Sequence, residues 1–184
     1  MQALEKAFLI GVEGVTEIFL IRHADCYLDM QEAADPPLST LGRDQAQRLG
    51  RRVRHLQPDA IYSSPYRRAL ETARAITEGD VRVDQRLVEM PLVIAEDGTL
   101  HFEEAADVAV ARMGAVIDEV VKEHEGKRVV LVSHAASILA CVTDALRLEP
   151  GTLRLLPYFT SISTLRVLGD RRMVGSLADV AHLE

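Results

Sequence analysis

Two dipeptides, Arg22-His23 and Ser133-His134, each close a short apolar run, and a further basic residue, Arg68, follows Ser63-Ser64-Pro65. Two guanidiniums and two imidazoles brought together would make a pocket for a small, multiply charged oxyanion. Arginine meets phosphate oxygens through a planar fork and stays charged at any working pH. A neutral imidazole can attack phosphorus and hold the phosphoryl group covalently, which divides one hard step into two easier ones. The transition state spreads negative charge over three equatorial oxygens, so fixed cations around it supply most of the rate. A carboxyl such as Glu89 would complete the set. As an acid it protonates the leaving oxygen, and as a carboxylate it then activates water.

These residues need a scaffold that brings distant segments together. Ile18-Phe19-Leu20-Ile21 reads as a buried parallel strand, and residues 24–37, ending in Pro36-Pro37, as a loop. Ser39 or Thr40 can cap a helix carrying Leu41, Ala46, Leu49, Val53 and Leu56, stopped near Pro58. Asp59–Ser63 is a second strand, and Pro65 sits where a helix with Ala69, Leu70, Ala73 and Ile76 can begin, ending at Gly79. Residues 81–83 form a short strand, while residues 85–101 show no clear period. Phe102, Ala105, Ala109, Met113, Val116, Val120 and His124 mark a long helix. Arg128–Ser133 is the strongest buried strand, a helix with Ile138, Leu139, Val142 and Leu146 follows, and strands at about 161–168 and 172–177 close the chain around Gly169-Asp170.

Strands alternating with helices predict a three-layer α/β/α sandwich with a mostly parallel central sheet of about six strands. We expect one domain over residues 1–184, with 1–15 as an N-terminal extension and 85–105 as a small cap region. Such sheets bind ligands at the carboxyl ends of their strands. Arg22 and His23 follow the first strand, Ser63, Ser64 and then Arg68 the second, Glu89 the third, and Ser133 and His134 the fourth. The helices starting near Pro65 and Ala135 would aim their positive ends at the same rim.

Several blocks resemble one family. Leu20-Ile21-Arg22-His23-Ala24 is similar to the Arg-His-Gly/Ala signature of the histidine phosphatase superfamily, whose fold is phosphoglycerate mutase-like. Leu38–Ala46 resembles its Leu-Thr-x-x-Gly-x-x-Gln-Ala helix start, and Ser63–Ala69 with Thr72-Ala73 its second-arginine motif. Val132-Ser133-His134 resembles its second-histidine motif, and Ala181-His182-Leu183 a common chain ending. The blocks run in family order from residue 17 to the C-terminus. The resemblance implies His23 as nucleophile, with Arg22, Arg68 and His134 holding phosphoryl oxygens and Glu89 as proton donor. Arg68 is preferred to Arg67 because it directly precedes Ala69. Met90-Pro91-Leu92-Val93-Ile94 stands where Gly-x-x-Glu-Gly often follows the acid, and Asp25–Asp29 lacks the Asn often found after the nucleophile.

Net charge is −7 and aromatics make up only 4%, which argues against a nucleic-acid or anionic-membrane partner. Cys26 and Cys141 match no metal or redox spacing, and Ala7–Ile10 is too short for a signal or a membrane span, so the expected compartment is the cytoplasm. Cys26 is read as a loop filler, Cys141 as core, and His55, His101, His124 and His182 as surface or cap residues. Arg51-Arg52-Val53-Arg54 is read as a solvated face, and Glu103-Glu104 as a response to the helix dipole.

The expected activity is hydrolysis of a small phosphorylated metabolite through a phosphohistidine, with no metal or cofactor, by a monomer or homodimer. A short cap admits water to the intermediate, so hydrolysis is placed ahead of phosphoglycerate mutase activity. Met90–Ile94 would make an apolar wall beside the leaving group. A protein-phosphohistidine phosphatase and a catalytically silent phosphate-binding scaffold are the other readings.

Overall fold

The structure, a computed structural model, describes residues 2–27, 35–94 and 100–184, and of residues 2, 92–94, 100 and 101 the backbone alone. Its elements run α1 (Gln2–Ala7), β1 (Thr16–Arg22), α2 (Thr40–Leu56), β2 (Ala60–Ser63), α3 (Arg67–Ile76), β3 (Arg82–Val83), β4 (Leu92–Ile94), β5 (Leu100–Phe102), α4 (Ala106–Glu123), β6 (Arg128–Ser133), α5 (Ala135–Ala145), β7 (Ile162–Leu168) and β8 (Arg171–Asp179). Single 3₁₀ turns lie at Gln85–Leu87 and Ala181–Leu183.

The main sheet has six strands in the order β3-β2-β6-β1-β7-β8. The first four run parallel, while β7 lies antiparallel to β1 and β8 antiparallel to β7. Central strands buried on both faces need apolar side chains at every position, and β1 and β6 have them. Ile18 and Leu20 join Val129 and Leu131 in a core under α4 and α5, built with Met113, Ile117, Ile138 and Val142. Phe19 and Ile21 join Val130 and Val132 in a second core under α2 and α3, built with Leu49, Val53, Ala73 and Ile76. The period-two alternation of each strand thus feeds two helix layers, which gives the α/β/α sandwich. Each such side chain contributes ~1.5–3 kcal/mol on leaving water.

Boundaries follow local chemistry. Ser39 caps α2 by accepting the Gly42 N–H on its hydroxyl at 2.9 Å. The α4 helix begins at Ala106 rather than at Phe102, because Phe102 pairs with Leu92 in a small antiparallel hairpin, β4–β5. That hairpin and the 3₁₀ turn at Gln85–Leu87 are the ordered elements described inside the 85–105 region. Glu96 and Asp97 lie outside the described residues, as do Leu28 and Asp29 of the loop after His23. In the N-terminal extension α1 is followed by a turn that buries Leu9, and Arg171 donates to the Ala7 carbonyl at 2.7 Å. Among the described residues no helix is long and apolar enough to cross a membrane.

Candidate active site

Strand register assembles the centre. Arg22 on β1 pairs with Ser133 on β6, so the next residues, His23 and His134, leave two neighbouring parallel strands side by side. Their ring centroids are 5.0 Å apart. On the other side of β6, Ser63 pairs with Val132, which brings Ser64 to the same level. The Ser64 hydroxyl lies 2.8 Å from His134 Nε2. Arg68, the second residue of α3, donates from Nε to His23 Nε2 at 3.3 Å. Arg67 instead points outward: its side chain is 59% exposed and pairs with Glu71, whereas that of Arg68 is 13% exposed.

His23 is 4% exposed. Its Nδ1 is 2.8 Å from the Ala24 carbonyl, an acceptor only, so Nδ1 carries the hydrogen and donates it there. Nε2 therefore keeps its lone pair. Burial, reinforced by the Arg68 and Arg22 charges against the Ala24 hydrogen bond, pushes the imidazole down from its ordinary 6.5 to about 3. Burial thus favours the neutral ring, whose Nε2 keeps its lone pair. Burial, then neighbouring His23, Arg68, Arg22 and Arg112, also lowers His134 well below its ordinary value.

The loop carrying His23 is clamped by α2 and α3. Thr72 Oγ accepts the Ala24 N–H at 3.0 Å and donates to the Arg68 carbonyl at 2.7 Å. Gln45 Oε1 accepts the Asp25 N–H at 2.9 Å, and the Ser39 hydroxyl bonds to the Asp25 carboxylate. At Gly42 a Cβ would sit 1.9 Å from the Asp25 carbonyl oxygen, so only glycine lets α2 approach this closely. Cys26 is buried and pairs with Leu38 in an isolated bridge, and burial pushes its thiol up. Cys141 is core, its thiol pushed up by burial to about 12.

Arg22 donates to the Pro157 carbonyl at 2.8 Å and lies under the Phe159 ring, with Cζ 3.9 Å from the ring centroid. Burial lowers its guanidinium from the ordinary value. Arg22 Nε and His134 Nδ1 are buried without a hydrogen-bond partner among the described residues. Such atoms are costly unless a ligand or water meets them. Glu89 Oε1 accepts the backbone N–H of Met90 at 3.0 Å and of Ser137 at 3.2 Å. That leaves the other oxygen to carry a proton. Burial raises this carboxyl, opposed by those two hydrogen bonds and by Arg68 and Arg22.

The two helix N-termini expected to face a phosphoryl group are already occupied by carboxylates. At α5 the Ser137 N–H goes to Glu89, and at α3 the Arg67 N–H goes to Asp35 at 2.6 Å. Asp35 also takes Arg68 Nη1 at 3.4 Å. Composition alone gave no sign of this, nor of the aromatic rings around the imidazoles. Phe159 lies 5.7 Å from His23 and Tyr66 lies 5.2 Å from His134, centroid to centroid. Phe159 arrives on the segment that enters β7, whose antiparallel course delivers its amino end to the rim. His182 is half-buried: its Nε2 is 3.0 Å from Thr160 Oγ, and the Thr160 N–H donates to the Arg22 carbonyl at 3.1 Å. Thr160 has φ +60, a costly conformation for a β-branched residue, and these contacts hold it. Of the expected apolar wall, Met90 is buried, while the side chains of residues 92–94 lie outside the described residues. Among the described residues no group of three or more His, Cys, Asp or Glu is placed to hold a metal ion.

A buried imidazole, two guanidiniums, a second imidazole and a carboxyl thus gather at the carboxyl ends of the parallel strands. The family profile of the histidine phosphatase superfamily (branch 1) matches residues 18–109 and 96–180, and the chain belongs to that superfamily. It is 26% identical over 204 aligned residues to a probable phosphoglycerate mutase GpmB of Enterobacter sp. (strain 638), covering 91% of this chain and 95% of that protein. It is 27% identical to phosphoglycerate mutase-like protein 4 of Arabidopsis thaliana, covering 91% and 87%. Among solved structures, Bacillus stearothermophilus YhfR aligns with TM-score 0.77 and 26% identity over 92% of this chain and all of that one. The mycobacterial glucosyl-3-phosphoglycerate phosphatase Rv2419c, complexed with VO3, aligns with TM-score 0.74 and 26% identity over 89% and 99%.

Proposed function

We propose that this protein is a metal-independent phosphomonoester hydrolase that works through a phosphohistidine on His23 and acts on a small phosphorylated metabolite. One observation carries the reading: His23 holds its only hydrogen on the Ala24 carbonyl and turns a bare Nε2 toward the Arg68 guanidinium. An imidazole kept neutral beside fixed cations suits attack on a phosphoryl group.

In the first step the Nε2 lone pair attacks phosphorus and the bond to the leaving oxygen breaks. That oxygen takes the proton of Glu89 and departs as an alcohol. Arg22, Arg68 and His134 hold the three equatorial oxygens as charge spreads over them. A water then attacks phosphorus, gives its proton to the Glu89 carboxylate, and the N–P bond returns its electron pair to Nε2. The net reaction consumes one water and yields alcohol and inorganic phosphate, with the enzyme restored.

Two features support hydrolysis ahead of phosphoryl return to a phosphoglycerate. The insertion before α4 is a small hairpin, and two similar structures at 26% identity include one titled a phosphatase. Mutase activity is the second reading, favoured by the curated relatives at 26–27% identity over nine tenths of the chain. Phosphate release from a panel of phosphorylated metabolites, with EDTA present and His23→Ala alongside, tests the proposal. Release that EDTA leaves intact and His23→Ala abolishes is expected. Interconversion of 2- and 3-phosphoglycerate outpacing phosphate release would replace it with the mutase.

A further inference from the structure

Three consecutive carbonyls lead the chain to Glu89, and each is held by a different element. Arg112 Nη1 on α4 donates to the Arg86 carbonyl at 2.7 Å. Ser133 Oγ on β6 donates to that of Leu87 at 2.8 Å, and Ser137 Oγ on α5 to that of Val88 at 2.8 Å. The segment from Asp84 to Pro91 lies outside every strand of the main sheet, so it has no ladder to fix it. Backbone bonds to Ser63 and Glu103 fix its two ends and Leu87 is buried in the core, while these side chains and the two N–H groups that grip the Glu89 carboxyl hold the stretch between.

Arg112 ties the set together. Its Nη2 donates to Ser137 Oγ at 2.9 Å, so the Ser137 hydrogen is directed to Val88 and its N–H is held in place for Glu89. Arg112 is itself oriented by a two-point pair with Glu104, Nε to Oε1 and Nη2 to Oε2, both at 2.7 Å. The two side chains are 14% and 16% exposed. A forked pair shielded from water holds one geometry, unlike an exposed pair, which contributes ~0–1 kcal/mol. Glu104 was expected to serve the helix dipole; instead it anchors this guanidinium. Arg112 makes no hydrogen bond to His23, His134, Arg22 or Arg68.

We propose that Arg112, oriented by Glu104, is a positioning residue that sets the Glu89 carboxyl for proton transfer through Ser137 and the carbonyls of residues 86 and 88. The inference rests on the reading of Glu89 as the proton donor. Proton donation matters for a poor leaving group and little for a good one, so the ratio of the two rates isolates it. A variant that merely folds less well slows both substrates together, and the ratio cancels.

The test compares kcat/KM, which reports the steps up to departure of the leaving group, on β-glycerophosphate and on p-nitrophenyl phosphate for wild type, Arg112→Met, Glu89→Gln and the double variant. Arg112→Met should slow the alkyl substrate about tenfold more than the aryl one, a fraction of the ~10²–10⁴ that acid catalysis supplies in full. Inhibition by inorganic phosphate should not change, and the extra loss should vanish in the Glu89→Gln background. Should Arg112→Met fail to fold, Ser137→Ala should show the same ratio. Equal slowing of both substrates, or losses that multiply with Glu89→Gln, would overturn the inference and leave the proposed function standing. Wild type without His23-dependent release from either substrate would overturn both.

Discussion

The pH dependence of stability reports directly on the state of His23. The unfolded chain exposes this imidazole with its ordinary value of 6.5, whereas in the folded protein burial pushes it down to about 3. Between those values the unfolded state binds a proton that the folded state refuses. The neutral form therefore supports folding fully above pH 6.5, and that support is lost as pH falls toward 3. At ~1.36 kcal/mol per unit, moving from pH 7 to pH 5 removes about 2 kcal/mol through this one residue. The figure holds as long as the folded value stays well below 5, since the unfolded chain sets the cost over that interval. Urea unfolding of wild type and His23→Gln at the two pH values measures it. The variant should lose about 2 kcal/mol less than wild type over the same interval, because titrating groups remote from His23 cancel in the difference. Equal losses in the two proteins would refute a buried, neutral His23. A bound oxyanion should add stability by mass action in wild type at both pH values.

Gly42→Ala should force the Asp25 loop away from α2, because the added carbon would sit 1.9 Å from a backbone oxygen. A loss of about 1–3 kcal/mol in urea unfolding, with a larger fall in kcat than in KM, is expected; unchanged kinetics would show the approach to be looser than described. Thr72→Val keeps the shape but strips the partner from the buried Ala24 N–H, so it should cost about 1–3 kcal/mol by the same unfolding assay. Burial raises the Glu89 carboxyl, and the protonated form is the donor, so kcat on alkyl phosphates should fall as pH rises through that raised value. The same limb should be absent in Glu89→Gln and weak with p-nitrophenyl phosphate, and a limb that persists in the variant would assign the proton to another group.

The centre was readable because its parts sit on the most regular elements. Strands β1 and β6 declare themselves by continuous apolar runs, and parallel pairing then forces the residues after them together. The Arg-His, Ser-Ser-Pro and Ser-His blocks are short and placed where a strand must stop. What stayed hidden depends on contacts that carry no periodic signal. Phe159 and Thr160 reach His23 because β7 runs antiparallel and offers its amino end, whereas reading strand ends looked only at parallel neighbours. The hold on Glu89 uses carbonyl oxygens, which every residue possesses, so nothing in residue types marks Arg112 or Ser137. Glu104 looked like a helix-start carboxylate because it stands just before α4, whereas its partner Arg112 lies eight residues on, inside that helix, a spacing that marks no pair in the sequence. Asp35 and Glu89 took the helix N-termini that seemed free for phosphate, a competition between anions that spacing cannot reveal.

The central claim is a covalent bond between phosphorus and His23 Nε2. Rapid acid-free quenching of wild type with ³²P-labelled p-nitrophenyl phosphate, followed by peptide mapping, measures it. Label that is stable in alkali, lost in acid, confined to the peptide bearing His23 and missing in His23→Ala is the predicted result. Turnover that persists in His23→Ala, or label on any other side chain, would contradict the account.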